Sequence, residues 1–142
     1  MSTYNGAGHL REQVDSVLSQ KGVDLRLFVR DDGSRDETVA ILEDYAAAGS
    51  LELIPGGNLG VVGSFLAGLA AVPKGYDYVA LCDQDDVWHN DKLARAVKVL
   101  SSKDVSVPQV YVAEYMFCDA QMNPQGRSRL NRNGVDYAKM LY

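Results

Sequence analysis

The chain has 142 residues, 46% of them hydrophobic, and a formal net charge of −5. That length buries roughly two-thirds of the unfolded surface, so a single α/β domain needs no disulfide staple. The acidic balance excludes a general nucleic-acid or anionic-membrane surface, because both reward clustered Lys and Arg. Any polyanionic ligand must therefore be held locally.

Helical and strand patterns alternate along the chain. Leu10, Val14, Val17 and Leu18 fall on one helical face and predict a first helix ending near Gly22. Leu25, Leu27 and Val29 then alternate as a strand. After Asp31-Asp32-Gly33-Ser34, the spacing of Ser34 and Glu37 predicts a capping box for a helix carrying Val39, Leu42 and Tyr45 and ending near Gly49. Leu51 to Ile54 form a short strand, Pro55 to Gly60 a glycine-rich loop, and Ser64 to Val72 a small-residue helix able to pack close to a sheet.

Tyr76 to Cys82 has the composition of a buried strand that stops at Asp83-Gln84-Asp85-Asp86. Asn90 is placed to cap a helix bearing Leu93, Ala96, Val97 and Leu100. Val110 to Phe117 reads as another strand before a turn at Asn123 to Gly126. Such βα repetition predicts a mostly parallel, Rossmann-like sheet with flanking helices. Cys82 and Cys118 both end apolar runs without zinc-type spacing, and read as reduced core thiols in a cytoplasmic protein. No stretch approaches the ~18 apolar residues of a membrane span, and no signal peptide is visible.

In sheets of this kind ligands bind at the carboxyl ends of the strands, where the loops 31–34, 55–60 and 83–86 should converge. Crowded carboxylates repel one another unless a cation joins them, and Asp83, Asp85 and Asp86 suit a hard divalent ion, Mg²⁺ or Mn²⁺, that also takes phosphate oxygens. Two acidic loops around one cleft fit a nucleotide whose base is read by one carboxylate while its diphosphate reaches the other through the metal. The bland alternatives are a solvated turn at Asp83 to Asp86 and turn chemistry at Asp31 and Asp32. Trp88 reads as packing or as part of an acceptor mouth, His9 and His89 as exposed flanking residues, and Arg127, Arg129 and Arg132 as a solvated linker or a small basic patch.

Ser2-Thr3-Tyr4-Asn5-Gly6, Asp31 through Thr38, Asn58-Leu59-Gly60 and Asp83 through Trp88, with Asp91-Lys92-Leu93, together resemble the family 2 glycosyltransferases of GT-A fold, and within them a bacterial rhamnosyltransferase-like subgroup. The resemblance implies an inverting, metal-dependent transferase acting in cell-surface polysaccharide synthesis. Its donor would be a dTDP- or UDP-sugar and its acceptor a saccharide or lipid-linked precursor, in the cytoplasm or at the inner face of the membrane. It implies that Ser2 and Tyr4 flank the nucleotide base, that Asp32 accepts the pyrimidine N3 proton, and that Asn58 lies near the donor phosphate. Asp83 would lie near the ribose, and Asp83 and Asp85 would form the Asp-x-Asp pair that binds metal.

Relatives carry a hydrophobic strand ahead of the Ser-Thr-Tyr-Asn loop and a general base well past the Asp-x-Asp loop. The expectation is therefore one partial domain over 1–142, lacking its first strand and its acceptor-binding portion. The general base is expected beyond Tyr142, and no catalytic residue is named. Weak or no transfer by this polypeptide alone, and self-association through an incomplete sheet, follow as further expectations. Two competing readings remain: a haloacid-dehalogenase-like phosphatase with Asp83 as nucleophile, and an inactive nucleotide-binding fragment.

Overall fold

The computed structural model describes residues 1–119 and 121–128. They belong to two compact units, Met1–Lys98 and a second beginning at Val99. In the first, three strands form one parallel sheet in the order β1-β2-β3: β1 (Ser2–Thr3), β2 (Phe28–Asp31) and β3 (Glu52–Ile54). Helices α1 (Ala7–Leu18), α2 (Thr38–Ala47) and α3 (Gly60–Ala71) follow the strands in turn, and α4 (Lys92–Leu100) comes after residues 72–91, which form neither helix nor strand. The parallel βα pattern expected from the sequence is present. Of the first strand, expected to be missing, two residues pair with β2, Ser2 opposite Arg30 and Thr3 opposite Asp31.

The core is the apolar face of α1 packed on β2 and α2. Leu10, Val14 and Val17 meet Leu27, Val29, Ile41 and Leu42, and Leu51, Cys82 and Trp88 close the cluster. These α1 positions recur at helical spacing, which is why one face of that helix is apolar. The small-residue helix α3 approaches the sheet closely, as predicted. A Cβ added at Gly68 would lie 3.5 Å from Arg30 Cβ, and Ser64 is fully buried.

Several local expectations are corrected. Tyr76 to Cys82 is not a buried strand: Tyr76 through Leu81 are exposed, only Cys82 is buried, and the segment joins no ladder. Its neighbour on that side is the two-residue β1, which gives it one backbone bond, Ser2 N–H to the Cys82 carbonyl at 3.3 Å. A strand needs a partner along its length, and here the partner is too short. The capping box does not form either. Ser34 turns back to donate to Asp31 Oδ1 and accept from Asn5 N–H, while Asp36 Oδ1 takes the Thr38 N–H at 3.0 Å. Asn90 gives its main-chain carbonyl to Lys21 N–H, and its side chain caps nothing among the described residues.

The second unit contains an antiparallel hairpin of β4 (Met116–Cys118) and β5 (Pro124–Arg127). The predicted strand over Val110 to Phe117 is thus confined to its end. The predicted turn at Asn123 to Gly126 belongs largely to β5. Chain reversal occurs earlier because Asp119 gathers the N–H groups of Gln121 and Asn123 on Oδ1. Cys118 is exposed, so the core-thiol expectation holds for Cys82 alone. Arg127 is exposed in β5, and Arg129, Arg132 and Tyr142 lie outside the described residues.

Candidate nucleotide and metal site

The site grows from the loops at the carboxyl ends of β1, β2 and β3 together with the acidic loop after Cys82. Asp31, the last residue of β2, shapes the first of them. Its Oδ2 accepts the N–H groups of Gly33 (2.9 Å) and Ser34 (2.8 Å), and its Oδ1 accepts the Thr3 hydroxyl at 3.1 Å. Gly33 sits at φ +86°, where a side chain is unfavourable, so the turn can form. Asn5, Asp36 and Thr38 tie this loop to the start of α1: Thr38 Oγ1 accepts Gly6 N–H at 2.8 Å and Asn5 Oδ1 accepts Arg35 N–H at 2.8 Å. Asp31 is thus a turn organiser, and Asp32 is left to face the cleft.

Asp32 is buried and fully engaged on one oxygen. Its Oδ1 accepts Arg30 Nη1 at 2.5 Å and Leu59 N–H at 2.8 Å; among the described residues its Oδ2 accepts only Gly60 N–H, at 2.9 Å. Burial opposes ionisation, but the Arg30 hydrogen bond and charge and the two backbone donors outweigh it, holding the carboxyl below the usual carboxylate range. An ionised carboxylate accepts about four hydrogen bonds, so Oδ2 keeps a position for a ligand N–H.

A cleft of about 460 Å³ is lined by Ser2, Thr3, Tyr4, Asp32, Asn58, Gly60, Val61, Phe65, Asp83, Gln84 and Asp85. Of the residues singled out from the sequence for the nucleotide and metal, Ser2, Tyr4, Asp32, Asn58, Asp83 and Asp85 line this one space, while Asp86, the third acid of the cluster, does not. Tyr4 and Asn58 are exposed on its wall. The Ser2 hydroxyl is already committed, donating to Ser64 Oγ at 2.6 Å. The general base expected beyond Tyr142 falls outside the described residues, and no catalytic base is assigned to the cleft.

The carboxylates of Asp83, Asp85 and Asp86 accept no hydrogen bond and form no ion pair among the described residues. Burial, then the charges of Asp86 and Asp85, push the Asp83 carboxyl above its ordinary value. Below this loop lies a polar support. Gln13, fully buried on α1, gives Nε2 to Cys82 Sγ at 2.6 Å, and Cys82 donates to the Asp83 carbonyl at 3.1 Å. Trp88 is buried in the core with Lys92 Nζ 3.9 Å above its ring, which favours its packing role over an acceptor mouth. His9 and His89 are exposed, as expected.

Sequence reasoning missed Arg30, Ser64 and Gln84. A clue to Arg30 was present: a charged residue continuing the apolar alternation of Leu27 and Val29 directly before two acids. For Ser64 and Gln84 no comparable signal exists, since each acts through a partner distant in sequence.

The model of glycosyl transferase family 2 matches residues 1–138. The chain belongs to that family. It is 32% identical to the dTDP-rhamnosyl transferase RfbG of Shigella flexneri over 135 residues, covering 92% of this chain and 44% of that protein. It is 29% identical to the chondroitin synthase of Pasteurella multocida over 135 residues, 94% of this chain and 13% of that one. The crystal structure of S. aureus TarS 1-349 in complex with UDP superposes with a TM-score of 0.62 at 26% identity, over 71% of this chain and 30% of that chain. This family 2 chain thus spans less than half the length of these relatives. The parallel sheet with flanking helices is of the GT-A type shared with such transferases, and the phosphatase alternative is not favoured. No helix among the described residues is long and apolar enough to cross a membrane.

Proposed function

We propose that this chain is the donor-nucleotide portion of an inverting glycosyltransferase that moves a sugar, rhamnose foremost, from a dTDP- or UDP-sugar to a saccharide or lipid-linked acceptor in cell-surface polysaccharide synthesis. One observation carries the reading: three strand-end loops and the acidic loop put Asp32, Tyr4 and Ser2 in one cleft with Asp83 and Asp85. Likeness to a dTDP-rhamnosyl transferase supports the sugar, and likeness to a protein solved with UDP supports the nucleotide class.

The residues fit a divalent cation, Mn²⁺ or Mg²⁺. Asp83 and Asp85 are hard oxygen donors without side-chain partners among the described residues, and their mutual repulsion is relieved by positive charge. Among the described residues no three acidic, His or Cys side chains form a cage. Mg²⁺-type sites need no such cage, since they use one or two carboxylates and leave other positions to phosphate and water. Asp83 and Asp85 would hold the ion, and when bound it supplies Lewis-acid neutralisation of the leaving diphosphate.

The remaining roles belong to the chain itself. Asp32 Oδ2 accepts the imide N–H of the base, Tyr4 covers the base from the exposed side, and Asn58 orients the phosphate end. The work is done in the cytoplasm or at the inner membrane face. The exposed segment 76–81, next to the backbone bond between Cys82 and β1, is the edge through which copies would self-associate, to be read by light scattering.

Calorimetry with UDP and dTDP, with and without Mn²⁺, tests the reading. Binding should require Mn²⁺ and weaken at least tenfold in Asp85→Ala, the scale of losing a charge-assisted contact. Metal-independent binding that Asp85→Ala leaves intact would overturn it.

A further inference from the structure

We propose that Arg30 sets which nucleobases the cleft accepts, by occupying one oxygen of Asp32 so that the other faces the ligand solely as an acceptor. This rests on the reading of Asp32 as the base-recognising carboxylate, and adds the residue that fixes its state and orientation.

Arg30 is 4% exposed, and its guanidinium is held on three sides. Nη1 donates to Asp32 Oδ1 and to Ser64 Oγ (2.8 Å), and Nη2 donates to the Gly57 carbonyl (2.7 Å). Ser64 is fixed in turn by the Ser2 hydroxyl. The niche is built for this side chain. A Cβ at Gly56 would collide with the guanidinium, and one at Gly68 would touch the Arg30 Cβ. One nitrogen meets the carboxylate while the other contacts fix the plane of the guanidinium, which does not give up its proton.

The consequence is a selective surface. With Arg30 and the Leu59 N–H on Oδ1 and the Gly60 N–H on Oδ2, the open position lies on Oδ2. Uracil and thymine present a ring N–H there and bond to it. Cytosine presents a lone pair, which an ionised carboxylate repels. Without Arg30 the carboxyl stays in a desolvated place with no cation beside it, which shifts the balance toward its protonated form, and that form can donate to cytosine. Arg30 is a positioning residue, since it acts on the base through Asp32.

The test compares UDP and CDP affinity by calorimetry in Mn²⁺ for the chain and for Arg30→Met, Arg30→Lys, Ser64→Ala and Asp32→Ala, each first checked for cooperative melting. The expected result is a UDP-to-CDP preference that falls about tenfold in Arg30→Met and less in Arg30→Lys and Ser64→Ala. An unchanged preference in Arg30→Met overturns the inference. Should that variant not melt cooperatively, an unchanged preference in Arg30→Lys and Ser64→Ala overturns it instead. Asp32→Ala separates the two levels: wild-type UDP binding there removes the base-recognition reading itself. Weakened binding there, with an unmoved preference in the Arg30 variants, removes only the role of Arg30.

Discussion

Gln84 and Tyr4 hold each other as two strands would. The Tyr4 N–H donates to Gln84 Oε1 at 2.8 Å, and Gln84 Nε2 donates to the Tyr4 carbonyl at 3.1 Å. A side-chain amide thus pins the loop after β1 to the acidic loop, although 80 residues separate them. Gln84 stands between Asp83 and Asp85, so the proposed base wall and metal ligands are mechanically joined.

Gln84→Ala should loosen that joint and weaken Mn²⁺-dependent UDP binding several-fold, without abolishing folding. Gly6→Ala should reproduce the effect, because a Cβ at Gly6 would run into the end of the Gln84 side chain, which can swing away. Calorimetry on both variants, with a double variant showing no further loss, is the check. Additive losses would contradict a shared cause.

Asp36 bears on acid stability. Its bonds to Thr38, and then to Ala7 N–H, outweigh burial and hold its carboxyl below the ordinary 3.8. A depressed folded-state pKa contributes stability above the unfolded value, and that contribution is lost as pH falls through the folded value. Melting temperature should therefore drop more steeply below about pH 4 in the parent than in Asp36→Ala. Parallel curves would rule the contribution out.

The two cysteines should separate cleanly toward a thiol reagent. Cys118 is exposed, whereas Cys82 is buried and its thiol is pushed up to about 11, chiefly by burial. Since the thiolate is the reactive form, one rapid equivalent at neutral pH is expected, and Cys118→Ser should remove it. A rapid equivalent that survives Cys118→Ser would place Cys82 at the surface.

Leu42, on α2, is fully buried in the core cluster. Leu42→Ala should cost about 2–5 kcal/mol in denaturant unfolding. A loss below about 1 kcal/mol would mean that the core collapses around the gap.

What the sequence determined is the order of βα units, the apolar face of α1, the loops that carry the site and the six residues placed in the cleft. Periodicity and turn chemistry are local, and a motif set with ordered spacing constrains which strand ends must meet. Tertiary structure showed how the two adjacent acids divide the work: Asp31 is satisfied by Gly33, Ser34 and Thr3, so Asp32 is presented. It also decided that Ser34 bonds backward rather than capping α2, and that Tyr76 to Leu81 lie exposed beside a two-residue strand. Ser64 and Gln84 acquire their roles from partners 34 to 80 residues away, and Arg30, two residues from Asp32, is held in place by Gly57 and Ser64, 27 and 34 residues away. Hydrogen bonds across such separations depend on packing distance, which local pattern does not encode.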